Sequence, residues 1–339
     1  MPKTIRNQYD KKLTYENLIK AHLESRKGKN IRKEIILFNL KQEEYIMWLY
    51  EKLKTGTYKH SGYTTFYVTE PKVRLIEKSI YMDRIVHRWY VDNFMKEYFV
   101  KSFISTSYAC LENKGMHKAC IDVQNTMKHC KKIWNNYYII KMDVAKYFQN
   151  IDKTILYNIL HKKIKDTKLL WLTKEILYSN GKEKGLPIGN YTSQCFANIY
   201  LNELDQYAKN KMKLKYYYRY MDDIVVMVKS KKEAIQKLQL IREFLEKNLK
   251  LELNSKTQIF KSAQGVNFCG YKINEYRLKI RDKGKRKLKK KVQYLMGQVK
   301  LGKMSSKEAQ KYLTGHLGYI KIANVHTLTN KLFYSDANE

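Results

Sequence analysis

Apolar residues recur along the chain with two periods, and the period changes where chemistry-bearing residues gather. Between residues 11 and 58, Leu13, Leu18, Ile19, Leu23, Ile35, Ile36 and Leu40 fall at helix-like intervals. A further helix is expected from Gln42 to Leu53, ended by Gly56. Residues 57–80 alternate polar residues with β-formers around Pro71, the pattern of a two-stranded hairpin. Ile85, Val86, Trp89, Val91 and Phe94 then mark a buried helix, with Arg84 and Arg88 four apart on one face. A loop after SYAC leads into another helix near His117, a residue without a ligand partner at metal spacing.

Tyr137 to Met142 read as a buried strand that ends at Asp143. Residues 153–184 hold two helices and a Gly-bearing loop at 181–185, and Thr192-Ser193 open a helix running through Phe196, Ile199, Leu201 and Leu204. The run YYYRYMDDIVVMV, 216–228, predicts a β-hairpin with Asp222 and Asp223 at its tip. Residues 231–249 form an amphipathic helix on Ala234, Leu238, Ile241 and Leu245; LKLELNSKTQIF follows as strand, turn and strand. Residues 283–303 contain nine basic residues and no acid, yet Leu288, Val292, Leu295 and Val299 give one apolar helix face opposite a cationic one. Ser305 and Glu308 make a capping box for the next helix.

Charge and chemistry sharpen this picture. The chain of 339 residues carries 67 basic and 32 acidic side chains, a net +35, for which a nucleic-acid partner is the first explanation. Five cysteines at 110, 120, 130, 195 and 269 form no C-x-x-C pair, so they read as small buried hydrophobes rather than zinc ligands. The start lacks an apolar signal core and no apolar run reaches the ~20 residues of a membrane span, which leads us to expect a cytoplasmic protein without membrane contact. Two adjacent carboxylates repel, and that cost makes sense where a divalent cation bridges them. With Asp143 at a neighbouring strand end, three carboxylates suit two Mg²⁺ ions about 3.5–4 Å apart, Mn²⁺ being a possible substitute. Lys72 and Arg74, two apart, are expected on one strand face, where a forked and a point cation suit a triphosphate.

The box Tyr220-Met221-Asp222-Asp223 together with Asp143 resembles the palm of reverse transcriptases. The resemblance, clearest from about residue 55 onward, implies a set of roles. Asp143, Asp222 and Asp223 are the catalytic metal ligands, joined by the main chain of Val144, and Lys256 is the general acid for departing pyrophosphate. Lys72, Arg74, Val144, Tyr147, Phe148, Ile188, Gly189 and Gln194 hold the incoming nucleotide, with Phe148 excluding a 2′-hydroxyl. Arg84, Tyr220, Met221, Cys269, Gly270, Lys287, Lys290 and Lys291 contact the nucleic acid, and GVNFCGYKI, 265–273, is the primer-grip hairpin. Where most reverse transcriptases carry Gln-Gly and then Ser-Pro, this chain reads Ile188-Gly189-Asn190-Tyr191-Thr192-Ser193-Gln194, which resembles the reverse transcriptases of diversity-generating retroelements.

The expected fold is α/β (α+β), a right-hand polymerase with fingers over 1–136, a ferredoxin-like antiparallel palm over 137–275 with a fingers insertion near 155–188, and a helical basic thumb over 276–339. The expected function is RNA-directed DNA polymerisation. The subfamily resemblance implies a template-repeat RNA copied into cDNA with errors at adenines, in a bacterial or phage-infected cell. It also implies a primer strand, dNTPs and a small basic oligomeric accessory protein as partners. Other prokaryotic reverse transcriptases (retron, group II intron-like or phage-defence) are the first alternative. A non-catalytic nucleic-acid-binding protein with a polymerase fold is the second.

Overall fold

The computed structural model describes residues 4–69 and 72–333. The chain divides into two compact bodies, Met1–Leu111 with Val144–Lys213 and Leu240–Ser255, and Glu112–Asp143 with Leu214–Gln239 and Lys256–Glu339. Each is described by itself.

The first body is mostly helical. Thr14, Asp152 and Asp166 start the helices Tyr15–Arg26, Lys153–Lys163 and Thr167–Leu177, each by accepting a main-chain N–H from three residues on. Asp166 also accepts the N–H groups of Gln8 and Tyr9 at 2.8 and 2.9 Å, tying the start of the chain to that helix. The helix Gln42–Lys54 stops just before Gly56, which takes φ +70°. Helix Tyr81–Tyr90 buries Ile85, Val86 and Trp89 and continues as a π-turn over Val91–Met95. Its neighbour Tyr191–Gln206 is buried along nearly its whole length. Thr192 lies inside its first turn and Asn190 holds the cap position.

A hairpin of β1 (Tyr63–Val68) and β2 (Arg74–Ser79) completes this body, antiparallel from Tyr63↔Ser79 to Val68↔Arg74. Pro71, expected at its centre, lies outside the described residues. Lys72 precedes β2 in a bend, so the reading that placed Lys72 and Arg74 on one strand face is corrected: the ladder begins at Arg74.

The second body is built on a four-stranded antiparallel sheet. Its strands are β3 (Tyr138–Asp143), β4 (Tyr216–Tyr220), β5 (Asp223–Val228) and β6 (Gln258–Lys261), in the order β4-β5-β3-β6. With helices Tyr191–Gln206 and Lys231–Leu249 as the crossovers in sequence, this is the ferredoxin-like strand order. The apolar β-branched run Ile224–Val228 is buried throughout, as a strand covered on both faces must be. Helix Met116–Trp134 packs on β4, where Thr126 and Tyr218 share a short hydroxyl contact. The first strand expected in LKLELNSKTQIF does not form; in the first body, Leu253 makes an isolated bridge to Val144 and the Ala145 N–H donates to the Glu252 carbonyl at 2.9 Å.

A second sheet, β7 (Val266–Phe268), β8 (Tyr271–Ile273) and β9 (Leu278–Ile280), leads into helices Asp282–Lys300, Ser306–Ile320 and His326–Phe333. Leu288, Val292 and Leu295 meet Ala309, Leu313 and Ile320 in a local core, so the apolar stripe of the basic stretch packs as its period requires. The Ser305–Glu308 capping box is formed in both directions.

Candidate functional site

Strand register in the second body brings two carboxylates face to face. β3 and β5 pair from Tyr138↔Val228 to Asp143↔Asp223, so the last residue of one strand lies directly opposite the first of the other. β4 and β5 are joined by the two residues Met221 and Asp222. Asp223 is therefore a strand residue, and Asp222 alone of the pair belongs to the turn, a correction to the picture of both acids at the tip. Met221 takes φ +56°, the left-handed region that a long side chain rarely adopts. The buried Arg219 holds this turn by donating from Nη1 to the Met221 carbonyl at 3.0 Å.

Electrostatics at Asp223 run in opposite directions. Burial raises its pKa above the ordinary carboxylate value, and the facing Asp143 adds to the rise. Lys141 opposes both, its ammonium in close ion contact with Asp223 and 3.2 Å from the Met142 carbonyl. The Cys269 main-chain N–H also donates to Asp223 and lowers it. Lys141 is two residues before Asp143 and so shares its face of β3. Neither Lys141 nor Arg219 was singled out from sequence, although a lysine at an alternate position of the apolar run IIKMD was a visible signal.

The remaining expected residues of this body fall in two groups, those near the same strand ends and those on helix Asp282–Lys300. β6 runs antiparallel to β3 with Gln258 opposite Lys141, so Lys256, exposed in the turn before β6, lies toward the end of β3 that carries Asp143. Cys269 and Gly270, with φ +47° and +88°, form the two-residue turn between β7 and β8, a geometry that suits Gly at the second place. A Cβ on Gly270 would also meet the Tyr319 hydroxyl at 2.4 Å, and that hydroxyl donates to the Gly270 carbonyl at 2.8 Å. Tyr220 is half-buried beside Asp223 in the register. Lys287 and Lys290 are exposed on helix Asp282–Lys300, whereas Lys291 lies over the rings of Tyr294 and Tyr312 at 5.6 and 5.3 Å.

In the first body, Ile188 to Asn190 are latched to β2. The Ile188 carbonyl accepts the Glu77 N–H at 2.9 Å. Buried Asn190 accepts from the Ser79 N–H (3.0 Å) and hydroxyl (2.6 Å) and donates to the Glu77 carbonyl (2.9 Å). Gly189, at φ +123°, has no room for a Cβ against Ile76, which would sit 2.8 Å away. Ile188 is half-exposed, Gln194 is exposed and accepts from the Cys110 thiol at 3.3 Å, and Arg74 is exposed on the hairpin. Phe148 is half-exposed, edge-on to Tyr147 with ring centroids 5.7 Å apart. Tyr147 itself is buried and donates to the Ala197 carbonyl, so its side chain serves the core. The same holds for Val144, which is 1 % exposed. Arg84 stacks on Tyr81 at 4.9 Å and its Nη2 lies 2.7 Å from Glu34.

Among the described residues no three His, Cys, Asp or Glu side chains converge into a metal cage. The donor set nonetheless fits a hard divalent cation: two carboxylates are opposed at a strand end, one is half-buried with a raised pKa, and a lysine supplies the compensating charge.

Residues 69–273 match the family described as reverse transcriptase (RNA-dependent DNA polymerase). The chain belongs to that family. It is 24 % identical to the retron Ec73 reverse transcriptase of Escherichia coli over 301 residues, covering 82 % of this chain and 85 % of that one. Its identity to the group II intron-encoded protein LtrA of Lactococcus lactis is also 24 %, over 335 residues, 76 % of this chain and 54 % of LtrA. With the COX1/OXI3 intron 2 protein of Saccharomyces cerevisiae it shares 24 % over 277 residues, 62 % of this chain and 30 % of that protein. This reverse transcriptase homologue thus spans about a third of the yeast protein and about half of LtrA. No helix among its described residues is long and apolar enough to cross a membrane.

Proposed function

We propose that the protein is an RNA-directed DNA polymerase that extends a primer strand along a template RNA. The observation that carries this reading is the register pair Asp143↔Asp223 beside the Met221-Asp222 turn, in a chain of the reverse transcriptase family. Asp143, Asp222 and Asp223, with the Val144 main chain, would hold two divalent cations, Mg²⁺ or Mn²⁺, which when bound lower the pKa of the attacking hydroxyl and neutralise departing pyrophosphate. Lys141 keeps Asp223 neutralised until then. Lys256 donates the proton that pyrophosphate takes on leaving. Phe148 excludes a 2′-hydroxyl by van der Waals overlap. Lys72 and Arg74 bind the triphosphate, Gly189 and Gln194 line the nucleotide's path, and Arg84, Tyr220, Met221, Cys269, Gly270, Lys287, Lys290 and Lys291 hold the strands. The same proposal takes fingers over 1–136, palm over 137–275 and thumb over 276–339.

Primer extension tests the chemistry. Asp222→Asn should reduce extension to background while leaving melting temperature and RNA affinity close to the parent's, because affinity rests on dispersed cations. Extension at the parental rate by a folded Asp222→Asn enzyme would remove the metal-ligand assignment.

For biological role we favour a diversity-generating retroelement, in which a template-repeat RNA is copied with errors at adenines beside a small basic accessory protein. Ile188 supports this reading. Glutamine at this place can donate to the incoming nucleotide, and a bond made only in correct geometry discriminates by roughly 1–3 kcal/mol. Isoleucine cannot make it. Sequencing cDNA from one template should show errors concentrated at adenines, reduced there by Ile188→Gln; a flat error spectrum in the parent would favour the retron or intron reading, which the named relatives support.

A further inference from the structure

The first body holds a cavity of about 300 Å³ whose wall is cationic and includes Arg84 and Gly189, two residues already placed beside the strands and the nucleotide. Lys29 and Arg32 reach it from the loop between helices Tyr15–Arg26 and Lys33–Leu40, Lys78 from β2, and Arg84, His87 and Arg88 from helix Tyr81–Tyr90. Three acids answer the five cations. Glu34 pairs with Lys78 (3.1 Å) and Arg84 (2.7 Å), Glu24 with Arg88 (3.3 Å), and Asp92 with Arg88. Among the lining residues the cations outnumber the acids Glu24 and Glu34, and Lys29 registers the excess. Burial lowers its pKa, and the neighbouring Arg84, Arg32 and Arg88 lower it further.

Two donors in the wall are unsatisfied. His87 is 1 % exposed, and its Nε2 has no hydrogen-bond partner among the described residues; Arg84 Nε is likewise buried without one. His87 Nδ1 sits 3.4 Å from the Thr192 hydroxyl. If that hydroxyl donates, Nε2 carries the proton. Burial, and then the charge of His60, push the imidazole down to about 3, so it is a neutral donor near neutral pH. Each buried donor left without an acceptor costs about 1–3 kcal/mol, which a ligand oxygen would recover. The volume takes a group with several anionic oxygens and excludes a base pair.

We propose that this cavity is a phosphate-binding site that receives one phosphate group of a nucleic-acid strand, with Lys29, Arg32 and Arg84 as its cations and His87 Nε2 as a neutral donor. The site rests on the polymerase reading, which already gives Arg84 to the strands, and adds Lys29, Arg32 and His87 to it; it is independent of the subfamily. Its test uses binding rather than extension, so its failure is distinct from failure of the polymerase reading.

The test is fluorescence anisotropy of a labelled single-stranded RNA across a salt series, for the parent, Lys29→Gln, and Lys29→Gln/Arg32→Gln. A parallel measurement is melting in inorganic phosphate against chloride at equal ionic strength. The double variant should bind RNA about tenfold more weakly, with a log affinity against log salt slope shallower by about 0.7 per lost phosphate contact. Lys29→Gln should lie between, and removes a partly desolvated ammonium with little risk to the fold. If instead inorganic phosphate raises the parent's melting temperature and not the variant's, with identical RNA slopes, the phosphate is a soluble one and the strand assignment falls. Unchanged slopes with no phosphate-dependent melting shift would overturn the site.

Discussion

Asp223 shows how a single carboxylate is balanced for chemistry at the expense of stability. Burial and Asp143 raise its pKa, Lys141 and the Cys269 N–H lower it, and the net direction is upward. A carboxyl raised on folding favours the folded state fully below its unfolded pKa, and that contribution is lost as pH rises through the folded pKa. The opposed acids therefore cost stability near neutrality and little in acid. Asp143→Asn removes one charge and should raise the melting temperature by a few degrees at pH about 7 in low salt, an effect on the order of 1 kcal/mol. At pH about 4 the gain should shrink toward zero as the parent's carboxyl takes up its proton. Thermal melts at both pH values check this, alongside primer extension, which the variant should lose. An equal gain at both would mean that like-charge repulsion is not its source.

At the scale of elements, the loop Ile188–Asn190 owes its position to β2 rather than to its own helix. Asn190 makes three hydrogen bonds to Ser79 and Glu77 while buried. Asn190→Ala leaves the Ser79 N–H and the Glu77 carbonyl short of partners, at about 1–3 kcal/mol each. The variant should melt several degrees lower, and its dNTP KM should rise by a larger factor than its kcat falls, because the loop is displaced rather than the carboxylates. Melting within a degree of the parent would show that the latch carries no load. These bonds also mark where sequence stops being readable. Helices and strands followed from apolar period, since burial of one face leaves a regular trace: the helix Lys231–Leu249 and the strand ending at Asp143 lie where the pattern puts them. Asn190 and Lys141 act across long sequence separations and Arg219 across a two-residue turn, through one or two polar atoms each, and they leave no periodic trace. Lys72 shows the converse. Spacing of two implied a shared strand face, but the ladder starts at Arg74, because pairing is set by the partner strand and ends with Val68.

Across the whole molecule the excess of +35 is large enough that every nucleic-acid contact is made against a background of diffuse attraction. What would separate a specific track from that background is order, and on the proposed reading helix Asp282–Lys300 would supply it. Leu288, Val292 and Leu295 fix one face in the local core, so Lys287 and Lys290 project from the other at defined positions, and Lys291 is steadied by Tyr294 and Tyr312. Fixed cations neutralise phosphates with less loss of side-chain freedom than a loose tail would. Lys287→Gln/Lys290→Gln should therefore make the log affinity against log salt slope for a primer–template shallower by roughly one to two units, whereas two lysines exchanged in a loosely held segment would change it less. Melting should move little, since the substitutions are on an exposed face. Extension by the variant should terminate after shorter products at moderate salt, with single incorporations affected less than long ones. Product-length distributions under a trap for free enzyme check this. Equal lengths for parent and variant across the salt series would remove the helix from the strand-holding surface and leave its charge as a contribution to the diffuse field alone.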